Sequence, residues 1–245
     1  MGAWPIGAER LVEYMRKAAH EAKEYTSWRA PDEAYDTALA EFCAALLEDR
    51  EFVADLEAFV APLVAPGRVN ALSQTLLKYV VPGVPDLYQG SELWNLDLVD
   101  PDNRRPVDYG LRRSLLAEIE GGLPVERILE RMDEGLPKLF VIQRALAVRR
   151  RRPDLFGPEA TYTPLAARGA KAAHVVALAR GGGLVAVAPR LVLGLGGDWG
   201  DTTLALPPGD WRDAFTGREA RGEAPLAALL GAFPVALLMQ GEGGS

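Results

Sequence analysis

The sequence predicts an α+β protein with helices first and a small antiparallel β region last. Two patterns carry that prediction. Through roughly the first 150 residues, apolar side chains return every three or four positions, the period of a helix that buries one face. From near residue 155 they arrive in short runs parted by Gly and Pro, as strands joined by turns do. Within the helical part lies a dense polar stretch, PGVPDLYQGSELWNLDLVDPDNRRPVDY, from Pro82 to Tyr109.

The elements follow in order. GAERLVEYMRKAAHEAKEY places Leu11, Tyr14, Met15, Ala18, Ala22 and Tyr25 on one helical face. Pro31 suits the first turn of the next helix, with Asp32 and Glu33 near its positive dipole end. In that helix Leu39, Phe42 and Leu46 are expected to point inward. DREFVADLEAFVAPLV repeats the spacing with Phe52, Leu56, Phe59 and Leu63, and Pro66-Gly67 is expected to end it. RVNALSQTLLKY is a further helix that leads into Val80-Val81, and PGVPDLY reads as a turn and a very short strand. After Tyr109, VERILERMDEG and LPKLFVIQRALAVRRRRPDLF are helical. Arg149 to Arg152 read as a solvated C-terminal end, where cations are favoured. Strands are expected in HVVALAR, GLVAVAPRL, TTLALP and PVALLMQ, in a β region beginning near Glu159. Gly181 to Gly183 form a hairpin turn, and GEGGS is a frayed tail.

Composition narrows the function. The chain is 49% hydrophobic and 25% charged, ordinary for a globular protein, with a net charge of -7. An acidic surface argues against nucleic acid or an anionic membrane as partner, since both need clustered cations. It suits a neutral substrate such as a sugar. The single Cys43, within a helical pattern, reads as a small core residue. One cysteine forms no internal disulfide, which fits a reducing compartment. No signal-peptide pattern and no apolar run of membrane-spanning length is visible, so the expected location is cytoplasmic. His20 and His174 stand far apart and read as structural. No metal-ligand cluster, Ser-His-Asp pattern or phosphate loop is visible, and no cofactor is expected.

The polar stretch holds six carboxylates, Asp86, Glu92, Asp97, Asp100, Asp102 and Asp108, with Arg104 and Arg105 among them. Its plain reading is a solvated loop, since Asp-Pro and Asp-Asn pairs form turns. Its functional reading is a sugar site. Ligands of parallel α/β folds sit at the C-terminal ends of strands. An arginine fork can fix a carboxylate that orients a hydroxyl. Tyr88 and Trp94 offer flat apolar faces beside polar groups.

The same residues carry a resemblance. PGVPDLYQGSELW resembles the eighth-strand segment of the α-amylase superfamily, glycoside hydrolase family thirteen. LVDPDNRRPVDY is more specific: it is similar to the maltooligosyl trehalose synthase family, the (1→4)-α-glucan 1-α-glucosylmutases. KAAHEAKEYTSWRAPDEAYD and WGDTTLALPPGDWRDAFTG resemble that family too, so the likeness covers nearly the whole chain.

The resemblance implies a helical insertion, the last strand and helices of an incomplete (β/α)8 barrel, and a C-terminal antiparallel β-sandwich. The matching parts are residues 1–81, 82–157 and 158–245. It implies conversion of the reducing-end α-1,4 bond of maltooligosaccharides to an α,α-1,1 bond, by retaining intramolecular transglucosylation in trehalose biosynthesis. The nucleophilic Asp, the acid/base Glu and the stabilising Asp of that chemistry belong to earlier barrel strands. Neither histidine is followed by the Asp of the family's His-Asp pair, so no catalytic residue is assigned and the isolated chain is expected to be inactive. Casting Asp86 and Glu92 as a catalytic pair runs against the family pattern. Tyr88, Gln89 and Glu92 are expected at the active-site end of strand eight, and Asp100, Asp102, Asn103, Arg104 and Arg105 in a loop beside the substrate subsites. One of the two arginines would anchor a carboxylate. Lys23, Ser27 and Trp28 would reach the reducing-end subsite. The expected partners are a maltooligosaccharide and the missing upstream barrel polypeptide. The alternatives are a stand-alone maltooligosaccharide-binding protein and a purely structural module.

Overall fold

The structure is a computed structural model that describes residues 2–241. The expected GEGGS tail lies, beyond Gly241, outside the described residues. The chain divides into two compact units, Met1–Val64 with Asn95–Val107, and Ala65–Trp94 with Asp108–Ser245.

The first unit is built on helices α1 (Ala8–Ala22) and α2 (Glu33–Glu48), which pack on each other, and on the first half of α3 (Arg50–Val80). Local chemistry sets the helix starts. Asp32 Oδ1 accepts from the amides of Ala34 and Tyr35, each at 3.0 Å, and so caps α2. Asp49 Oδ1 does the same for α3, accepting from Glu51 N at 2.9 Å and Phe52 N at 3.1 Å. The expected apolar faces are only partly realised. Leu11, Tyr14, Met15 and Ala18 are half-buried, whereas Ala22 and Tyr25, at and beyond the end of α1, are exposed. In α2 the side chain that is buried is Cys43, whose thiol burial pushes up in pKa. Phe42 is 60% exposed, contrary to the inward orientation expected, because Cys43 one position on takes the buried direction of the helix.

Helix α3 does not end at Pro66-Gly67. It runs for 31 residues, and those two residues fall just past the boundary between the units. A proline inside a helix costs about 3 kcal/mol. Beyond it, Leu72, Leu76, Tyr79 and Val80 are buried in the second unit, and each such side chain contributes about 1.5–3 kcal/mol. The downstream packing outweighs the local stop signal.

The second unit holds α4 (Tyr109–Glu120), α5 (Val125–Glu130), α6 (Leu136–Arg151) and the strands. Strands β1 (Tyr162–Leu165), β3 (Val175–Arg180), β4 (Leu184–Pro189), β9 (Ala236–Gln240), β6 (Trp211–Asp213) and β7 (Glu219–Ala220) form one sheet in that order. Strands β2 (Ala167–Arg168), β5 (Thr203–Ala205) and β8 (Glu223–Pro225) form a second. All pairs are antiparallel, and two short helices, α7 (Val192–Leu195) and α8 (Leu226–Leu230), lie between strands in sequence.

The central strand β4 is buried along its whole length, and the alternation of its side chains explains why. Leu184 and Ala186 join Leu178 and Leu237 in a core with Leu76, Phe140, Phe215 and Phe233. Val185 and Val187 join Leu204, Trp211, Ala224 and Leu238 in a second core shared by the two sheets. A strand covered on both faces reads as the continuous apolar run LVAVAP. The β3–β4 hairpin closes through Gly181 at φ 57°, where an added Cβ would lie 2.8 Å from Leu155 Cα, so the position needs glycine. Asp213 pins the sheet's far side: Oδ1 accepts from Phe215 N at 3.2 Å and Leu237 N at 3.1 Å, Oδ2 from Thr216 N at 3.3 Å and Thr216 Oγ1 at 2.6 Å. Burial nevertheless pushes its carboxyl pKa upward.

Two further expectations are corrected. The end of α6 is not wholly solvated: Arg149 lies over the Phe156 ring at 4.4 Å and donates to Tyr79 O at 2.8 Å. Arg180 donates to Val80 O at 2.7 Å and to Phe156 O at 3.1 Å. These cations hold the last carbonyls of α3, where the helix dipole is negative. The PGVPDLY segment that follows forms no strand, and Val84 is 96% exposed. A strand needs a neighbour, and both sheets lie within residues 162–240.

Candidate functional site

The sequence-predicted residues are divided between the two units. In the first unit, α1 presents Arg10 and Lys17 to the returning segment. Arg10 binds Asp102 with both arms, Nε to Oδ1 at 2.9 Å and Nη2 to Oδ2 at 2.8 Å, and Nη2 also donates to Leu96 O at 2.9 Å. Leu98 N adds a donor to Asp102 Oδ2 at 2.7 Å. The Arg10 guanidinium, helped by that amide, holds the Asp102 carboxyl down at a pKa of about 2. Arg105 pairs with Asp97 and donates through Nε to Asp102 O at 3.1 Å, while Arg104 pairs with Asp100. Lys17 donates to the Asp100 carbonyl. Asp102 to Arg104 form a short 3₁₀ turn, so the turn-forming reading of this stretch is realised together with the network. Asn103 Oδ1 is buried with no partner among the described residues.

Arg104 and Arg105 thus each bind a carboxylate, yet the firmest anchor, Arg10, escaped the sequence reading. Its partner lies 92 positions away, so no local spacing marks the pair. Arg10 and Lys17 do share an i, i+7 spacing, a hint that one helix side carries cations.

The other candidates of this unit sit around the α1–α2 connection. Lys23 follows α1 in the left-handed conformation, φ 59°, and its amide donates to Ala19 O at 3.2 Å. Ser27 Oγ accepts from Ala30 N at 3.1 Å and shapes the turn. Trp28 is 60% exposed, its ring centroid 4.5 Å from that of His20. His20 is itself buried: Nε2 is 2.7 Å from Asp36 Oδ2 and 3.3 Å from Thr26 Oγ1. His20 and Thr26 hold the Asp36 carboxyl below its usual range.

In the second unit Tyr88 and Gln89 are exposed, and Ser91 Oγ donates to Tyr88 O at 2.6 Å. Glu92 is not free: Arg112 Nε donates to its Oε2 at 2.7 Å, and Arg112 Nη2 to Gly90 O at 2.6 Å. The turn is fastened from α6 and from the short turn before it as well. Lys138 Nζ donates to Leu93 O at 3.0 Å, and Trp94 Nε1 donates to Met132 O. Gly135, φ 80°, permits the approach: an added Cβ would lie 2.8 Å from Trp94 N. Burial, with Lys78 nearby, pushes the Lys138 ammonium down to a pKa of about 8 against the opposing pull of Glu92. Tyr79, beneath, has a hydroxyl buried without a partner among the described residues, and burial with Glu92 and Asp86 raises its pKa. The sequence reading missed Arg112 and Lys138 for the same reason as Arg10.

In each unit, taken by itself, arginines immobilise carboxylates: Arg10 and Arg105 in the first, Arg112 in the second. Asp102 has donors on both oxygens and Glu92 has one on Oε2, and such groups orient hydroxyls. Among the described residues no group of three His, Cys, Asp or Glu side chains could hold a metal ion, and no helix is long and apolar enough to cross a membrane.

Comparison with known proteins gives this arrangement a context. No family model matches the chain. Two Mycobacterium tuberculosis proteins named as maltooligosyl trehalose synthases are 39% identical over 247 residues, covering 98% of this chain and 30% of their own length. The structure of maltooligosyltrehalose synthase from Arthrobacter ramosus is 44% identical, with a TM-score of 0.87 over 98% of this chain and 31% of that one. A structure titled hypothetical maltooligosyl trehalose synthase, from Sulfolobus tokodaii, is 25% identical with a TM-score of 0.70, over 95% of this chain and 29% of its own. The chain therefore spans about 30% of the length of the curated relatives it matches, and along nearly all its own length it is a homologue of the C-terminal part of maltooligosyl trehalose synthases.

Proposed function

We propose that this chain is the C-terminal part of a trehalose-forming glucosylmutase and supplies substrate-subsite and structural residues but not the catalytic carboxylates. The observation that carries the proposal is the match over 98% of the chain, at a TM-score of 0.87, to an enzyme named for that activity. The reaction converts the reducing-end α-1,4 bond of a maltooligosaccharide to an α,α-1,1 bond: the glucosyl carbon leaves O4 of the terminal glucose and is joined to its O1 with retained configuration. Retaining chemistry needs one carboxylate as nucleophile and another that shuttles a proton. Asp102 fits neither role, since a carboxyl held at a pKa of about 2 has no proton to give near neutral pH and both its oxygens already accept hydrogen bonds. Glu92 is likewise committed to Arg112.

These groups instead hold their neighbours in place. The exposed Arg104, Arg105 and Gln89 are available to sugar hydroxyls, and the faces of Tyr88 and Trp28 to the C–H surfaces of the rings. In this reading PGVPDLY becomes the eighth strand of a (β/α)8 barrel once upstream polypeptide provides its neighbours. The test is an assay of maltopentaose conversion with the chain alone and with the chain co-expressed with the unmatched part of the Arthrobacter ramosus enzyme. The expected result is conversion by the pair only. Conversion by the chain alone would falsify the assignment of the catalytic groups to other polypeptide. Tight calorimetric binding of maltopentaose by the chain alone, with no activity from the pair, favours a stand-alone binding module.

A further inference from the structure

From an apolar arc on the first half of α3 we infer that this surface is the seat of the upstream polypeptide, an inference that rests on the reading above. Phe52, Leu56, Phe59 and Leu63 follow each other at steps of four, three and four residues. At about 100° per residue they fall within an arc of about 60°. Asp55, Glu51 and Glu57 lie outside that arc. Phe59 is 54% exposed, Phe52 and Leu63 are also exposed, and Leu56 is half-buried. Phe52, Leu56 and Phe59, with Asp55 and Ala58, line an open groove.

No residue of α3 before Leu72 is buried. A helical stretch of about 15 residues without packing is marginal in water. Two phenylalanines and two leucines in one narrow arc are what a helix uses to bury a face, and among the described residues none of the four is buried. The occupant follows from length. The relatives carry more than two thirds of their sequence outside the matched region, and a 44% identical relative holds this same fold within that longer chain. The arc is the contact between the two parts.

The test co-expresses the chain with the unmatched part of the Arthrobacter ramosus enzyme and follows the complex by size-exclusion light scattering over a dilution series. A one-to-one complex is expected. Phe52→Glu and Phe59→Glu should each weaken it at least about tenfold, with Phe59→Leu restoring it and Glu57→Gln, outside the arc, leaving it unchanged. The substituted side chains are exposed, so the variants should melt within a few degrees of the parent. A complex indifferent to both charged variants overturns the inference, as does failure to form one. A self-associated chain that Phe59→Glu disperses also overturns it, because the occupant is then a second copy. Maltopentaose conversion by the same samples separates the two readings. An active complex indifferent to the arc removes only the surface, and an inactive complex that depends on the arc removes only the activity.

Discussion

The two units solve the problem of stability differently. The second unit buries nearly all the chain's core, with Leu76, Phe140 and Phe233 on one side of the large sheet and Val185, Leu204 and Trp211 on the other. In the first unit, among the described residues, only Ala3, His20, Thr26 and Cys43 are buried. It is ordered by caps and ion pairs, above all Arg10 with Asp102, and leaves Phe42, Phe52 and Phe59 partly exposed. Exposed ion pairs contribute about 0–1 kcal/mol each and the half-buried Arg10–Asp102 pair about 1–2, whereas a buried large side chain contributes about 1.5–3. The second unit therefore carries a core of its own, whereas the first buries few large side chains among the described residues.

The sharpest way to probe that contrast is in the second unit's core. Phe140→Ala removes a ring that contacts both Phe215 and Phe233 and should cost about 3–5 kcal/mol by denaturant titration. Asp213→Asn should cost about 2–3 kcal/mol in the same assay. Both oxygens of Asp213 face donors, and the amide NH₂ of asparagine would oppose two of them. In the first unit, Asp102→Asn should cost about 1–2 kcal/mol near neutral pH, less at high salt. Its pH dependence has a definite sign. The folded carboxyl titrates near 2, below its ordinary 3.8, so its contribution is present above that ordinary value and is lost as pH falls from there towards 2. The Asn variant should lose less stability than the parent across that window, the remainder coming from carboxylates such as Asp36. Phe59→Ser in the isolated chain should change stability by about 0.5 kcal/mol or less, since the residue is more than half exposed. A large loss there would mean that the arc is packed and the contrast wrong.

Much of this was legible in the sequence because the second unit's elements obey local rules. LVAVAP is continuous because β4 is covered on both faces, and the three glycines at 181–183 make the hairpin turn. Asp32 caps a helix where the residues around Pro31 announced one. What misled was context. Pro66-Gly67 is a genuine stop signal overridden by packing farther on, and PGVPDLY has strand chemistry without a neighbouring strand. The stripe of Phe52 and Phe59 has core spacing, but periodicity reports that a face is apolar and not that this chain covers it. Of the candidate site, the carboxylates and Arg104 and Arg105 were visible as a cluster. Arg10, Arg112 and Lys138 were not, because each meets its partner across tens of residues.

Native-state hydrogen exchange tests the central claim, a second unit with its own core and a first unit without one, most directly. In the isolated chain, amides of α6 and β4 should exchange only through global unfolding, while those of residues 54–64 in α3 should be protected at least about a hundredfold less. Adding the co-expressed upstream polypeptide should raise protection in 54–64 and leave α6 and β4 as they were. Protection in 54–64 equal to that of α6 in the isolated chain would contradict the account.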